Sequence, residues 1–168
     1  MTKKFAIALA MILTLFSLSA CTTDGGAPSD SPQGESGSTM TNVPTVSGDL
    51  GQEPTISAPQ GNPPVELVTE DIAIGSGKEA LTDSTLTVHY TLMAWSTGEI
   101  VESSWVGQPA TFPLSGVIQG WQQGIPGMKE GGRRLLVIPP ALGYGEAGGG
   151  PIAPNETLIF VVDLISVS

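Results

Sequence analysis

Polar and apolar positions alternate without a break from Thr85 to Leu92. Leu86, Val88, Tyr90 and Leu92 share one face, and Thr85, Thr87, His89 and Thr91 the other, which is the pattern of a half-buried strand. Arg134–Ile138 predicts a short apolar strand stopped by Pro139 and Pro140. Thr157–Val167 predicts a third, with Leu158, Phe160, Val162 and Leu164 on one face. A weaker strand runs over Leu67–Ile74 and closes at Gly75, Ser76 and Gly77. Ser96–Glu99 reads as a turn leading into another strand around Ile100–Glu102. Helix signal is scarce: only Val117–Ile125 places Ile118, Trp121 and Ile125 at helical spacing, bounded by Gly116, Gly124 and Gly127. The fold class is therefore α+β, an antiparallel sheet with one short helix on one face.

Two segments precede this pattern. In residues 1–20, Lys3 and Lys4 lead an apolar stretch from Phe5 to Leu18 that is broken only by Thr14 and Ser17. It is shorter than the roughly 20 apolar residues of a membrane span and reads as a signal peptide. It ends in Leu18, Ser19, Ala20 and Cys21, which resembles the lipobox of bacterial lipoproteins. That resemblance implies lipidation of Cys21 and an exported, membrane-anchored product. Residues 21–64 are rich in Gly, Pro, Ser and Thr, and from Thr22 onward hold five acids and no base. Val43, Val46, Leu50 and Ile56 follow no period of 2 or 3.6, so this stretch is expected to be a disordered tether. The remaining residues, 65–168, form one domain.

Composition narrows the chemistry. The 168 residues carry a net charge of −10, with six Lys plus Arg against sixteen Asp plus Glu, and beyond residues 1–20 only Arg133 and Arg134 adjoin. Phosphate neutralisation needs clustered cations, so no nucleic acid partner is expected. One His and one Cys exclude a Cys-rich zinc site, a disulfide framework and any triad not built on His89. Gly143–Gly148 matches a dinucleotide fingerprint, but Pro151 and Pro154 stand where its helix would begin. Glu99 and Glu102 read as a solvated edge, and His89 as a packing or surface residue. No set of acid, base and nucleophile emerges, and neither cofactor nor metal is expected. The notable feature is where the few aromatic residues fall. With 5% aromatics, the chain places Trp121 on its only helix, Tyr90 and Phe160 on inward strand faces, and Phe112 and Tyr144 in or beside loops. An aromatic cup for an apolar ring gives such a placement a purpose.

Several blocks, in order, resemble the FKBP-type peptidyl-prolyl cis-trans isomerases. They are Val88–Thr91, Gly98–Ser104, Val117–Trp121, Gly127–Arg134, Ile138–Pro140, Tyr144–Gly145 and Pro154–Phe160, and the likeness runs from about Glu66 to Val167. It implies a twisted antiparallel sheet wrapped around one short helix, with an apolar pocket between them. Trp121 would be the floor; Tyr90, Val101, Phe112, Val117, Ile118, Ile152 and Phe160 would bind substrate around it. The Ile118 backbone N–H and the Tyr144 hydroxyl would donate to substrate carbonyls, and Glu102 falls where the family usually has Asp. Val101 and Ala110 stand where larger side chains are usual, the stretch Leu114–Gly116 is shorter, and Ala153 replaces a common Pro.

The resemblance implies an isomerase acting on proline-containing segments of exported proteins outside the cytoplasm, as a monomer, with macrolides as possible ligands. The alternative is the same fold used as a weakly catalytic or non-catalytic module that holds such segments. A purely structural lipoprotein, with Trp121 as core, is a remoter reading.

Overall fold

A computed structural model describes residues 42–168. The signal peptide, Cys21 and the first part of the expected tether lie outside the described residues. The elements are β1 (Val46–Ser47), β2 (Thr55–Ile56), β3 (Val68–Ala73), β4 (Thr85–Ala94), β5 (Ile100–Ser103), β6 (Ala110–Pro113), α1 (Gln119–Gly124), β7 (Arg133–Ile138) and β8 (Leu158–Val167). The main sheet is antiparallel in the order β3-β7-β8-β4-β5, and β6 joins β4 beside β5. β4 pairs with β8 along its whole length, from Leu86 opposite Val167 to Ala94 opposite Leu158. Irregularities between Thr87 and Val88, and between Leu92 and Met93, break its ladders. Such bulges sharpen the local twist and help the sheet curl round α1.

Two glycines set how closely the helix approaches. A Cβ on Gly120 would stand 2.4 Å from Ile138 Cγ2, and one on Gly124 would stand 2.4 Å from Leu136 Cδ2. Four residues apart, they form a bare stripe on one helix face, so the α1 backbone rests directly on the Ile138 and Leu136 side chains of β7. The same turn aims Trp121 into the sheet's concave side. There it joins Leu86, Val88, Leu92, Leu136, Ile138, Leu158, Phe160, Val162 and Leu164 in the principal core. The helix is shorter than the periodicity predicts, because Ile118 is extended (φ −59°, ψ 153°) and serves as its N-terminal cap residue.

The sheet is apolar on its other face as well. Met93, Trp95, Leu135, Val137, Ile159 and Val161 form a second cluster, covered by Ile56 with Val43 and Val46. The expected tether thus needs correcting: residues 42–64 are a strap across the back of the sheet. β1 and β2 make a two-stranded ladder pairing Val46 with Ile56 and Ser47 with Thr55. Arg133, 1% exposed, fixes the loop between them. It donates to Gly48 O at 3.0 Å and Gln52 O at 2.7 Å while holding Asp163 through Nε at 2.5 Å and Nη2 at 2.8 Å. Val43, Val46 and Ile56 pack onto the sheet from short, separate pieces of chain and so show no period, while Leu50 is exposed. The packed part of the chain therefore begins before residue 65.

Candidate functional site

The concave face opens beside α1 into a hollow of about 470 Å³. Its floor is Trp121, itself only 4% exposed. Three rings stand edge-on to the indole: Phe160 at 5.3 Å and 86°, Tyr90 at 5.8 Å and 85°, and Phe112 at 6.2 Å and 88° between centroids and planes. Edge-to-face contacts suit the quadrupoles of the rings and keep each in place. The rings arrive from three strands. Tyr90 is on β4, Phe112 on β6 paired opposite Leu86, and Phe160 on β8 opposite Leu92. A box of perpendicular aromatic walls, closed below and open above, suits a compact apolar ring.

Polar groups sit at its margin. Val117 and Ile118 line it where the chain enters α1. The Ile118 carbonyl accepts from Trp121 N at 3.0 Å and Gln122 N at 3.2 Å, while its own N–H has no protein acceptor among the described residues. Tyr144, 44% exposed, lies on the loop following the turn Pro140–Leu142 and also lines the hollow. Its hydroxyl likewise has no protein partner among the described residues. The Tyr90 hydroxyl donates to Glu102 Oε1 at 2.6 Å across the β4–β5 ladder. Burial pushes the Tyr90 phenol above its usual range, and the Glu102 hydrogen bond and charge push it further. Tyr90 therefore stays a donor throughout the neutral range.

Of the residues expected at the site, Tyr90, Glu102, Phe112, Val117, Ile118, Trp121, Tyr144 and Phe160 meet around the hollow. Val101 and Ile152 do not line it. Val101 packs against the core with its short branched side chain, and Ile152 is 8% exposed. A small ladder holds Ile152 there, with N–H to O bonds both ways to Gly149 at 2.9 and 3.0 Å. Sequence reasoning missed Leu92 and Gly116, which also line the hollow. The β4 alternation had already placed Leu92 on the inward face. His89 does not line the hollow: it stacks on Trp105 at 4.1 Å, and its Nδ1 lies 2.9 Å from Ser104 Oγ.

Comparison with known proteins agrees with this architecture. Residues 77–165 match the family model described as FKBP-type peptidyl-prolyl cis-trans isomerase. A probable FK506-binding protein of Corynebacterium glutamicum is 49% identical over 116 residues, which is 68% of this chain and 98% of the relative. An FK506-binding protein of Streptomyces anulatus is 50% identical over 121 residues, 69% of this chain and 98% of the relative. The crystal structure of FkpA from Escherichia coli superposes with a TM-score of 0.58 at 39% identity, covering 61% of this chain and 48% of that one.

Proposed function

From the premise that the chain belongs to the FKBP-type peptidyl-prolyl cis-trans isomerases, we propose that it turns X–Pro bonds of exported polypeptides in the hollow above Trp121, from a lipid anchor at Cys21. The observation that carries the siting is the set of three aromatic rings standing edge-on to one indole, with free donors at the margin.

Rotation about a peptide C–N bond faces a barrier of about 18–20 kcal/mol, because resonance gives the bond partial double-bond character. At X–Pro the two planar isomers differ by only about 0.5–1 kcal/mol, yet interconvert over tens to hundreds of seconds. No covalent bond breaks, so a catalyst need only bind the twisted amide better than either planar form. The aromatic walls grip the pyrrolidine ring and strip water from the carbonyl. Without that hydration the charge-separated resonance form loses ground, and with it the double-bond character. The Ile118 N–H and the Tyr144 hydroxyl hold the flanking backbone while the imide turns. Glu102, through Tyr90, keeps one wall in position. A thousandfold acceleration needs about 4 kcal/mol of differential binding, within reach of a few hydrogen bonds and a shaped cup.

The binding-only alternative is not favoured, since the matched family is one of isomerases. The names of the relatives add FK506-type macrolides as ligands. The proposed site of action is extracytoplasmic, supported by the residues around Cys21; no helix among the described residues is long and apolar enough to cross a membrane. The test is the cis–trans exchange rate of a proline peptide measured by magnetisation transfer. The expected result is exchange that rises in proportion to protein concentration; exchange unchanged from the peptide alone overturns the proposal.

A further inference from the structure

The wall of the hollow contains one carboxyl side chain. Among the residues that line it, Glu102 is the one Asp, Glu, His, Lys or Arg. It is not a freely waving surface carboxylate, because Oε1 is held by the Tyr90 hydroxyl at 2.6 Å. Its other oxygen takes no hydrogen bond from the described residues. Among the described residues no Lys or Arg pairs with it. Arg133 is enclosed behind the sheet with Asp163, and Arg134 pairs with Asp71 at the β3–β7 edge. Lys78 reaches the Val167 carbonyl, and Lys129 sits in a bridge opposite Glu79. The chain as a whole carries sixteen acids against six bases. A fixed anion at the mouth of a low-dielectric aromatic cleft, on an acidic protein, focuses a negative potential where substrate enters.

We propose that Glu102 selects the client by charge: the enzyme favours segments with Lys or Arg adjoining the proline and disfavours those with Asp or Glu there. This rests on the isomerase reading above and adds a substrate class to it. A cation beside the bound ring lies several ångströms from the carboxylate, partly screened by water. A like charge at the same place is repelled by a similar amount. At low salt the two together separate Lys from Glu peptides by about tenfold, and the separation shrinks as added salt shortens the Debye length.

The test is kcat/KM by magnetisation transfer, with no coupling protease, for peptides bearing Lys, Gln or Glu either before or after the proline. It is run at low and at high salt on wild type, Glu102→Gln and Glu146→Gln. Glu146 is exposed and does not line the hollow. The Gln at 102 keeps an oxygen that accepts the Tyr90 hydroxyl. The expected result is the order Lys, Gln, Glu in at least one position, with about a tenfold span at low salt. That span should fall two- to threefold at high salt, collapse to near one in Glu102→Gln and persist in Glu146→Gln. Equal acceleration of all peptides, or a span that survives Glu102→Gln, overturns the charge selection and leaves the isomerase intact. Acceleration of none overturns the isomerase reading itself, and this inference with it.

Discussion

Arg133 allows the strap to be tested quantitatively. Four hydrogen bonds leave its guanidinium, two to Asp163 and two to the strap carbonyls of Gly48 and Gln52. The Arg133 and Asp163 side chains are 1% and 9% exposed. Arg133→Met keeps most of the buried stem and removes the charge. Asp163 is then left with one long contact, from Gly51 N at 3.4 Å, and the strap loses its clamp. Removing one partner of a buried pair costs about 3–5 kcal/mol, a large share of the roughly 5–15 kcal/mol that holds a domain together. With a urea dependence of about 1–3 kcal/mol per molar, the unfolding midpoint should fall by roughly 2 M. Amide exchange should rise first at β1 and β2, before the main sheet loosens. The double variant Arg133→Met with Asp163→Leu should regain much of the loss, since no unpaired charge remains. A midpoint shift below about 0.5 M, or strap amides as protected as in wild type, would refute the clamp.

Other expectations concern the site. Tyr144→Phe removes a donor at the rim without touching the core, so kcat/KM should fall about five- to tenfold at unchanged stability; an unchanged rate excludes the hydroxyl from the reaction. Gly120→Ala drives a methyl into Ile138, and overpacking of that kind costs about 1–3 kcal/mol. Trp121 fluorescence should shift as α1 is pushed off β7, and an unshifted spectrum would contradict the close-approach argument. The raised Tyr90 phenol gives stability that is complete below the unfolded value of about 10 and lost as pH rises beyond it, because the unfolded chain then releases its proton first. Urea midpoints between pH 8 and 11 should fall more steeply in wild type than in Tyr90→Phe; parallel curves would count against the shift.

Much of this architecture is legible in the residue pattern. The β4 alternation is long enough to assign its inward face, and α1 shows itself by Trp121 and its bounding glycines. β6 is hidden because Ala110–Pro113 is four residues long and ends in proline. β1 and β2 are two residues each, too short for any period to register. The strap did leave a trace elsewhere. β7 and β8 are apolar at successive positions, with Leu135 and Val137 facing opposite to Leu136, and Ile159 and Val161 opposite to Phe160. A strand apolar on both faces needs cover on both, and the chain before residue 65 is what supplies it. At the site, scarcity made the aromatics conspicuous, whereas the contact between Tyr90 and Glu102 depends on the register of β4 against β5. Periodicity carries no information about that register.

The central claim is that the proline ring sits over the Trp121 indole inside the aromatic box. The direct measurement is a filtered nuclear Overhauser spectrum of the protein with a labelled proline peptide. The account predicts cross-peaks from the proline ring protons to Trp121 and to Phe160 or Tyr90. Accelerated isomerisation with no cross-peak to the indole, and contacts to some other surface instead, would contradict it.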